Sequence, residues 1–188
     1  MKTTFYNLQL LTAPGRVFTP RPATEQLVDA ALERIDGLPM RVADVGTGSG
    51  AVAVALAVNR PQVEVWATDT NDEAVELARA NAERYGVADR VHVVHGDLLD
   101  PLTTPVDLVV ANLPYLPQSQ HDPRYDDEPE DAVYAPGDGL GPYRRLLDAC
   151  RDGKLDTGGT VLIQFHRRPL AADCWQLEDL RSELESAA

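Results

Sequence analysis

The chain has 188 residues, enough for one domain with its own core and too few for two full-sized ones. With 44% hydrophobic and 25% charged residues it has the composition of a folded globular protein, which excludes a disordered or fibrous chain, and no apolar run reaches the ~18 residues of a membrane span. Seventeen Lys and Arg against 30 Asp and Glu leave a net charge of −13, a field that repels phosphate backbones and anionic lipid and would steer in a basic partner.

Met1 to Leu11 lacks the basic-then-apolar pattern of a secretory leader, so the expected address is the cytoplasm. Cys150 and Cys174 are the only cysteines and have no CxxC spacing, so both read as reduced thiols and no structural metal is expected. Thr4 to Leu11 and Arg16 to Phe18 flank Ala13-Pro14-Gly15, which predicts two short extended pieces around a turn. Residues 1–21 thus form an N-terminal lid or hairpin segment, and residues 22–188 a single domain.

That domain opens with a helix from Pro22 to Asp36, where Leu27, Ala30, Ala31, Arg34 and Ile35 follow helical spacing and Gly37 supplies a left-handed stop. Arg41 to Val45 reads as a buried strand running into a glycine turn, Gly50 to Asn59 as a helix of small residues, and Val63 to Thr68 as a second strand. Asn71 to Tyr85 places Ala74, Leu77, Ala78 and Ala82 on one stripe and ends at Gly86. Val91 to His95, Val106 to Ala111 and Gly159 to Phe165 add three apolar strands, with a helix from Pro142 to Arg151 between the last two. Such alternation makes an α/β fold, a mainly parallel sheet with helices on both faces. The irregular stretch from Leu116 to Gly141 is rich in Pro, Asp and Tyr, and its length marks a binding loop or lid.

Asp44-Val-Gly-Thr-Gly-Ser-Gly50 sits between the first strand and its helix, where glycines let the backbone approach a ligand and the helix start offers free N–H groups. Ala51 also satisfies a dinucleotide fingerprint, so the glycines alone do not separate NAD from other nucleoside ligands. Asp69, ending the second strand, is placed to accept ribose hydroxyls of either. Asn112-Leu113-Pro114-Tyr115 follows the fourth strand at the carboxyl edge beside the glycine turn. There a side-chain amide, backbone carbonyls and an aromatic plane converge on a site suited to a planar NH2 group, its hydrogens taken by the Asn112 oxygen and its face covered by Tyr115.

These residues resemble the class I S-adenosylmethionine-dependent methyltransferases, and within them the HemK/PrmC type, which methylates the glutamine side chain of peptide-chain release factors. DVGTGSG is similar to the first methyltransferase motif, ATDTNDEAVELARANA to the ribose-binding strand and helix, and ANLPY to the family's NPPY. Phe18 to Glu25 resembles the PRPETE segment, and Asp138 to Arg145 the DGLxxYRR segment. The resemblance runs from about residue 5 to 166 and implies a Rossmann-like class I methyltransferase fold with S-adenosyl-L-methionine as cofactor.

Position by position, the resemblance implies that Asp44, Gly46, Thr47, Gly48, Ser49 and Gly50 contact the methionine end of the cofactor, that Asp69 holds its ribose, and that Asp97 with Leu98 meets its adenine. Asn112, Leu113, Pro114 and Tyr115 hold the acceptor, Asn112 also bordering the cofactor, and Asn112 and Tyr115 act in catalysis. An amide nitrogen is a poor nucleophile with no proton that an ordinary base removes. The protein's task is to bind the NH2 by its hydrogens, aim its lone pair, and stabilise charge developing on nitrogen with carbonyl oxygens. No metal is required.

Three departures bear on the outcome. Leu113 stands where the first proline of NPPY is expected. The family's N-terminal helical domain has no counterpart, since the chain begins where that domain would have ended. After Phe165, a helix from Leu177 to Ser186 takes the place of the closing antiparallel hairpin, which reads as missing or shortened. The edge at Val161 to Phe165 is therefore expected to be covered by that helix, by self-association or by a partner. A glutamine-bearing protein such as a release factor is the first acceptor expected. The alternatives are a small molecule, a nucleobase amine, or a cofactor-binding subunit without turnover; nucleic acid is disfavoured by the charge. His92 and His95, three apart on a strand, point to opposite faces and read as structural. His166, with Arg167 and Arg168, reads as exposed or core-satisfying, Tyr125, Tyr134 and Tyr143 as lid packing, Trp66 as sheet packing and Trp175 as the anchor of the tail helix.

Overall fold

The computed structural model describes residues 1–35, 37–166, 168–173 and 176–187. It opens with an antiparallel hairpin, β1 (Lys2–Phe5) and β2 (Leu8–Leu11), which reverses at Tyr6 and Asn7, both at positive φ. The turn therefore lies within the stretch expected to be one strand, and Arg16 to Phe18 is not a strand: the N–H groups of Arg16 and Val17 both close a turn on the Ala13 carbonyl. Side-chain anchors decide this. Glu25 accepts the Tyr6 N–H and Asp29 the Tyr6 hydroxyl proton, while Phe5, Leu8 and Leu10 go into the core. Asn81, fully buried, exchanges two hydrogen bonds with Leu11 and donates a third to the Ser49 carbonyl, tying the hairpin to the glycine turn.

Helix α1 (Pro22–Arg34) starts with proline in its first turn, where the missing N–H costs nothing. It ends at an extended Ile35, two residues before the expected glycine stop; Asp36 lies outside the described residues. Next come β3 (Met40–Val45), α2 (Ala51–Asn59), β4 (Val63–Asp69), α3 (Asp72–Arg84), β5 (Val91–His95) and β6 (Val106–Ala111), each within two residues of its expected span. Asn71 caps α3 by accepting the N–H groups of Glu73 and Ala74, and acidic Asp72 and Glu73 suit the positive end of the helix. In α2 residues 51–57 are all buried; helix and sheet cover it on opposite sides, so it needs small residues rather than an apolar stripe.

The expected irregular stretch contains a two-stranded parallel pairing of β7 (Leu116–Pro117) with β8 (Tyr134–Ala135) and short 3-10 turns at Pro123–Tyr125 and Glu130–Ala132. Helix α4 (Gly141–Ala149) widens into a π turn at Cys150–Lys154, ended by Gly153 at φ 97°. Strand β9 (Leu155–Phe165) then reverses at His166 into β10 (Arg168–Asp173), and α5 (Leu177–Ala187) follows.

The main sheet runs β10-β9-β6-β3-β4-β5, all parallel except β10, which is antiparallel to β9. The closing hairpin is thus present in a short form, and β10 pairs the β9 edge that was expected to be left to a helix or a partner. Helices α1 to α3 cover one face with Leu27, Leu56 and Ala82 against Val65 and Leu108. Helices α4 and α5 cover the other, where Leu146, Leu180 and Leu184 meet Ile163, Phe165 and Leu170. The tail helix itself packs on β10 and α4, within the same apolar cluster as Val161, Ile163 and Phe165. Trp175, its expected anchor, together with Cys174 and Arg167, lies outside the described residues; Cys150 is buried in the core under α4. Among the described residues no helix is long and apolar enough to cross a membrane.

Candidate active site

A cavity of about 910 Å³ opens at the carboxyl ends of β3 to β6, where open parallel sheets receive ligands. Its floor is the turn after β3. Gly46, Gly48 and Gly50 all have positive φ (69°, 56° and 76°), and the N–H groups of Gly46 and Thr47 both donate to the Thr68 carbonyl, folding the turn onto β4. A Cβ on Gly46 would lie 2.8 Å from Leu113 Cδ2, so the Leu113 side chain packs directly on the bare backbone of Gly46. Asp44, Gly46, Thr47, Gly48, Ser49, Asp69, Asp97, Leu98 and Asn112 to Tyr115 all line this cavity. Gly50 does not: a Cβ on it would press within 3.0 Å of Ala78, so its work is to let α2 and α3 approach.

Two carboxylates set the electrostatics. Asp44 is buried and accepts the Thr47 hydroxyl proton at 2.6 Å and the Ala53 N–H at 3.0 Å, yet burial outweighs both and pushes its pKa up to about 6. Asp69 accepts the N–H of Gly48 at 2.8 Å and of Asn71 at 2.9 Å, and burial again raises its pKa above the usual range. Each Asp69 oxygen keeps a lone pair for a ligand hydroxyl. At the rim, Asp97 is ion-paired with Arg145 of α4, and Leu98 is held at φ 46° with its carbonyl accepting the Thr68 hydroxyl. Ser49 Oγ is buried without a hydrogen-bond partner among the described residues, as expected of a donor awaiting a ligand.

The turn after β6 is held from three directions. Asn112 Nδ2 donates to Thr24 Oγ1 of α1 at 3.3 Å, which points the amide's remaining acceptor, Oδ1, away from α1. The Leu113 N–H donates to the hydroxyl of Tyr143, which donates in turn to the Gln164 carbonyl at 2.5 Å. Tyr143 is therefore no lid residue: it lies fully buried under the turn, and burial drives its pKa far above the ordinary phenol range. Tyr115 packs on Phe165 and His166, with ring centroids at 5.1 and 5.4 Å, and gives its hydroxyl proton to the His166 carbonyl. That commitment makes Tyr115 a wall of the site rather than a proton donor.

The roof joins residues far apart in sequence. Glu128, its side chain 4% exposed, accepts the Thr19 N–H and pairs with Arg21, whose guanidinium lies 5.5 Å from the Phe18 ring and 5.8 Å from the Tyr125 ring. Tyr134 accepts the Asp122 N–H within the same loop. A smaller cavity of about 220 Å³ lies on the other side of Asn112 and shares Phe18, Thr24, Asn112, Tyr115 and Tyr125 with the large one. His92 stacks near Trp66 on β5 and β4, and His95 Nε2 meets the Thr70 carbonyl; neither lines either of these two cavities. Sequence reasoning missed Thr24, Glu128 and Gln164 and misplaced Tyr143. For Thr24 and Tyr143 a signal existed in the two flanking segments, but nothing in it said which residue reached the Asn112 turn.

A parallel sheet with a glycine turn after its first central strand and an acid ending the next defines a Rossmann-like nucleoside-binding fold of the class I methyltransferase kind. The family model described as "Methyltransferase small domain" matches residues 12–126, and the chain belongs to that family. It is 42% identical over 179 residues to the release factor glutamine methyltransferase of Deinococcus radiodurans, covering 89% of this chain and 63% of that protein. The corresponding enzyme of Gloeobacter violaceus is 39% identical, over 84% of this chain and 57% of its own length. The chain thus spans about three fifths of the length of these curated relatives. Among solved structures, the ribosomal protein L11 methylase of Lactobacillus delbrueckii superposes with a TM-score of 0.60 at 27% identity, covering 92% of this chain and 72% of that one.

Proposed function

We propose that the chain is an S-adenosylmethionine-dependent N-methyltransferase whose acceptor is the side-chain amide of a glutamine in a peptide-chain release factor. The observation that carries this reading is the anchored Asn112: Thr24 engages its nitrogen, leaving its oxygen as an acceptor in the wall between the two cavities. The relatives named above, although longer than this chain, support the same acceptor.

The residues present fit the cofactor. Asp69 offers carboxylate lone pairs to a ribose, the orphaned Ser49 hydroxyl and the ionised Asp44 suit the polar methionine end, and Leu98 with the Asp97–Arg145 pair edges the position of the base. When bound, S-adenosylmethionine supplies an electrophilic methyl group. The chain's own part is to present the nitrogen. Asn112 Oδ1 takes one hydrogen of the acceptor NH2, the Leu113 carbonyl is positioned by the Tyr143 clamp for the other, and Tyr115 closes the face, so positive charge arising on nitrogen meets preorganised oxygens. Because Leu113 fills the space over Gly46 with its side chain, packing rather than a proline ring holds that carbonyl.

Mass spectrometry of a bacterial release factor after incubation with the chain and isotopically labelled cofactor tests the reading. One labelled methyl on a glutamine is expected. Transfer to adenosine or to small amines but not to the protein would replace the acceptor class.

A further inference from the structure

Gln164 stands where the fold calls for an apolar residue. On β9 Val161, Ile163 and Phe165 enter the core under α4 and α5, and Leu162 enters the core under α1 and α2; Gln164 is next in the Leu162 register. It is 2% exposed, and among the described residues neither its side-chain oxygen nor its nitrogen has a hydrogen-bond partner. A leucine or methionine there would avoid the cost of two buried, unpaired polar groups, so the amide is kept at the expense of stability. It lines the small cavity together with Thr24, Asn112 and Tyr115. Among the described residues the two arginines on that cavity's wall each face a carboxylate, Arg21 that of Glu128 and Arg124 that of Asp122, so their charge is largely balanced there.

We propose that the small cavity receives the acceptor's carboxamide and that Gln164 recognises it, Nε2 donating to the amide carbonyl oxygen while Asn112 Oδ1 takes an amide hydrogen. This rests on the glutamine reading above. A primary amide presents an acceptor and a donor in one plane on two separate atoms, and Gln164 with Asn112 complements both; an ammonium leaves Gln164 Nε2 unpaired, and an alcohol has to serve both residues from a single oxygen. Donation to the carbonyl draws the nitrogen lone pair toward the C–N bond, so the contact does not assist attack. Its effect belongs in binding and selectivity: a loss raises KM and leaves kcat unchanged or slightly higher.

Gln164→Met keeps the volume and removes both polar atoms, while Gln164→Asn keeps the amide but withdraws it by one methylene. On a release factor, both variants are expected to raise KM roughly 10-fold or more. Calorimetric affinity for S-adenosylhomocysteine should stay within about twofold, as expected for a residue outside the cofactor cavity. Gln164→Met should also melt roughly 2–6 °C higher, because unpaired buried groups are gone. Unchanged KM in both variants, or a lowered melting temperature for Gln164→Met, overturns the proposal while leaving the glutamine acceptor standing. A wild-type chain that methylates amines or nucleosides but no release factor removes the glutamine reading and this inference together.

Discussion

The two halves of the site are built in opposite ways. The proposed cofactor side is local: Asp44, the glycine turn and Asp69 lie within 26 residues of one another, and their hydrogen bonds stay almost wholly inside that segment. The proposed acceptor side is assembled from Thr24 on α1, Asn112 after β6, Tyr143 on α4 and Gln164 at the end of β9, joined by bonds that span up to 88 residues of chain. A local motif keeps its geometry through backbone conformation, whereas a dispersed one depends on every packed element around it. Substitutions should accordingly separate into those that change cofactor affinity and those that change the fate of the acceptor.

The sharpest separation is expected from Asn112→Ala. In the proposed mechanism its oxygen faces charge that develops only during transfer, so the rate should fall about 10²–10³-fold in single-turnover assays while calorimetric cofactor affinity stays nearly intact. Equal losses in both would dissolve the distinction between the two halves. Asp69→Ala is the converse: removing a carboxylate that bonds hydroxyls should weaken S-adenosylhomocysteine binding by about 1.5–3 kcal/mol per lost hydrogen bond, and tight NAD binding by the unaltered chain would reverse the cofactor assignment.

Glycines test the same contrast at the level of folding. Gly50→Ala imposes a left-handed backbone on alanine and drives its Cβ to 3.0 Å from Ala78, so a loss of about 1–3 kcal/mol should appear in thermal melts. Gly37→Ala, at φ 96° but with open space around it, should cost only about 1 kcal/mol. Equal melting temperatures would mean that the close approach of α2 and α3 is not needed.

The smallest effect concerns pH. Burial raises the pKa of Asp44 in the folded protein to about 6, well above the ordinary carboxylate value of 3.8, so the folded protein holds this proton more tightly than the unfolded chain does. The associated stability is full below about pH 4 and is lost as pH rises through about 6. Asp44→Asn should flatten that part of the melting profile, since an amide oxygen can still accept from Thr47 and Ala53. In the intact chain a ligand ammonium beside Asp44 would favour the ionised form, so cofactor affinity should rise with pH through the same window. A flat affinity profile would place the ammonium elsewhere.

Much of this molecule is determined by residues close together in the chain. Apolar runs bounded by glycine, proline and an Asn cap locate the central strands and helices, and the glycine turn with Asp69 locates the floor of the large cavity, because backbone conformation is a local consequence of residue type. The tertiary structure decided the rest. The hairpin turned at Tyr6 and Asn7 because Glu25 and Asp29 hold it there, and β10 paired with the strand end that read as open. Tyr143 went under the Asn112 turn instead of into a lid, and Gln164 reached a buried wall that its neighbours' alternation would have given to an apolar side chain. Each of these depends on partners brought together by folding, and spacing along the chain carries no information about which distant donor meets which acceptor.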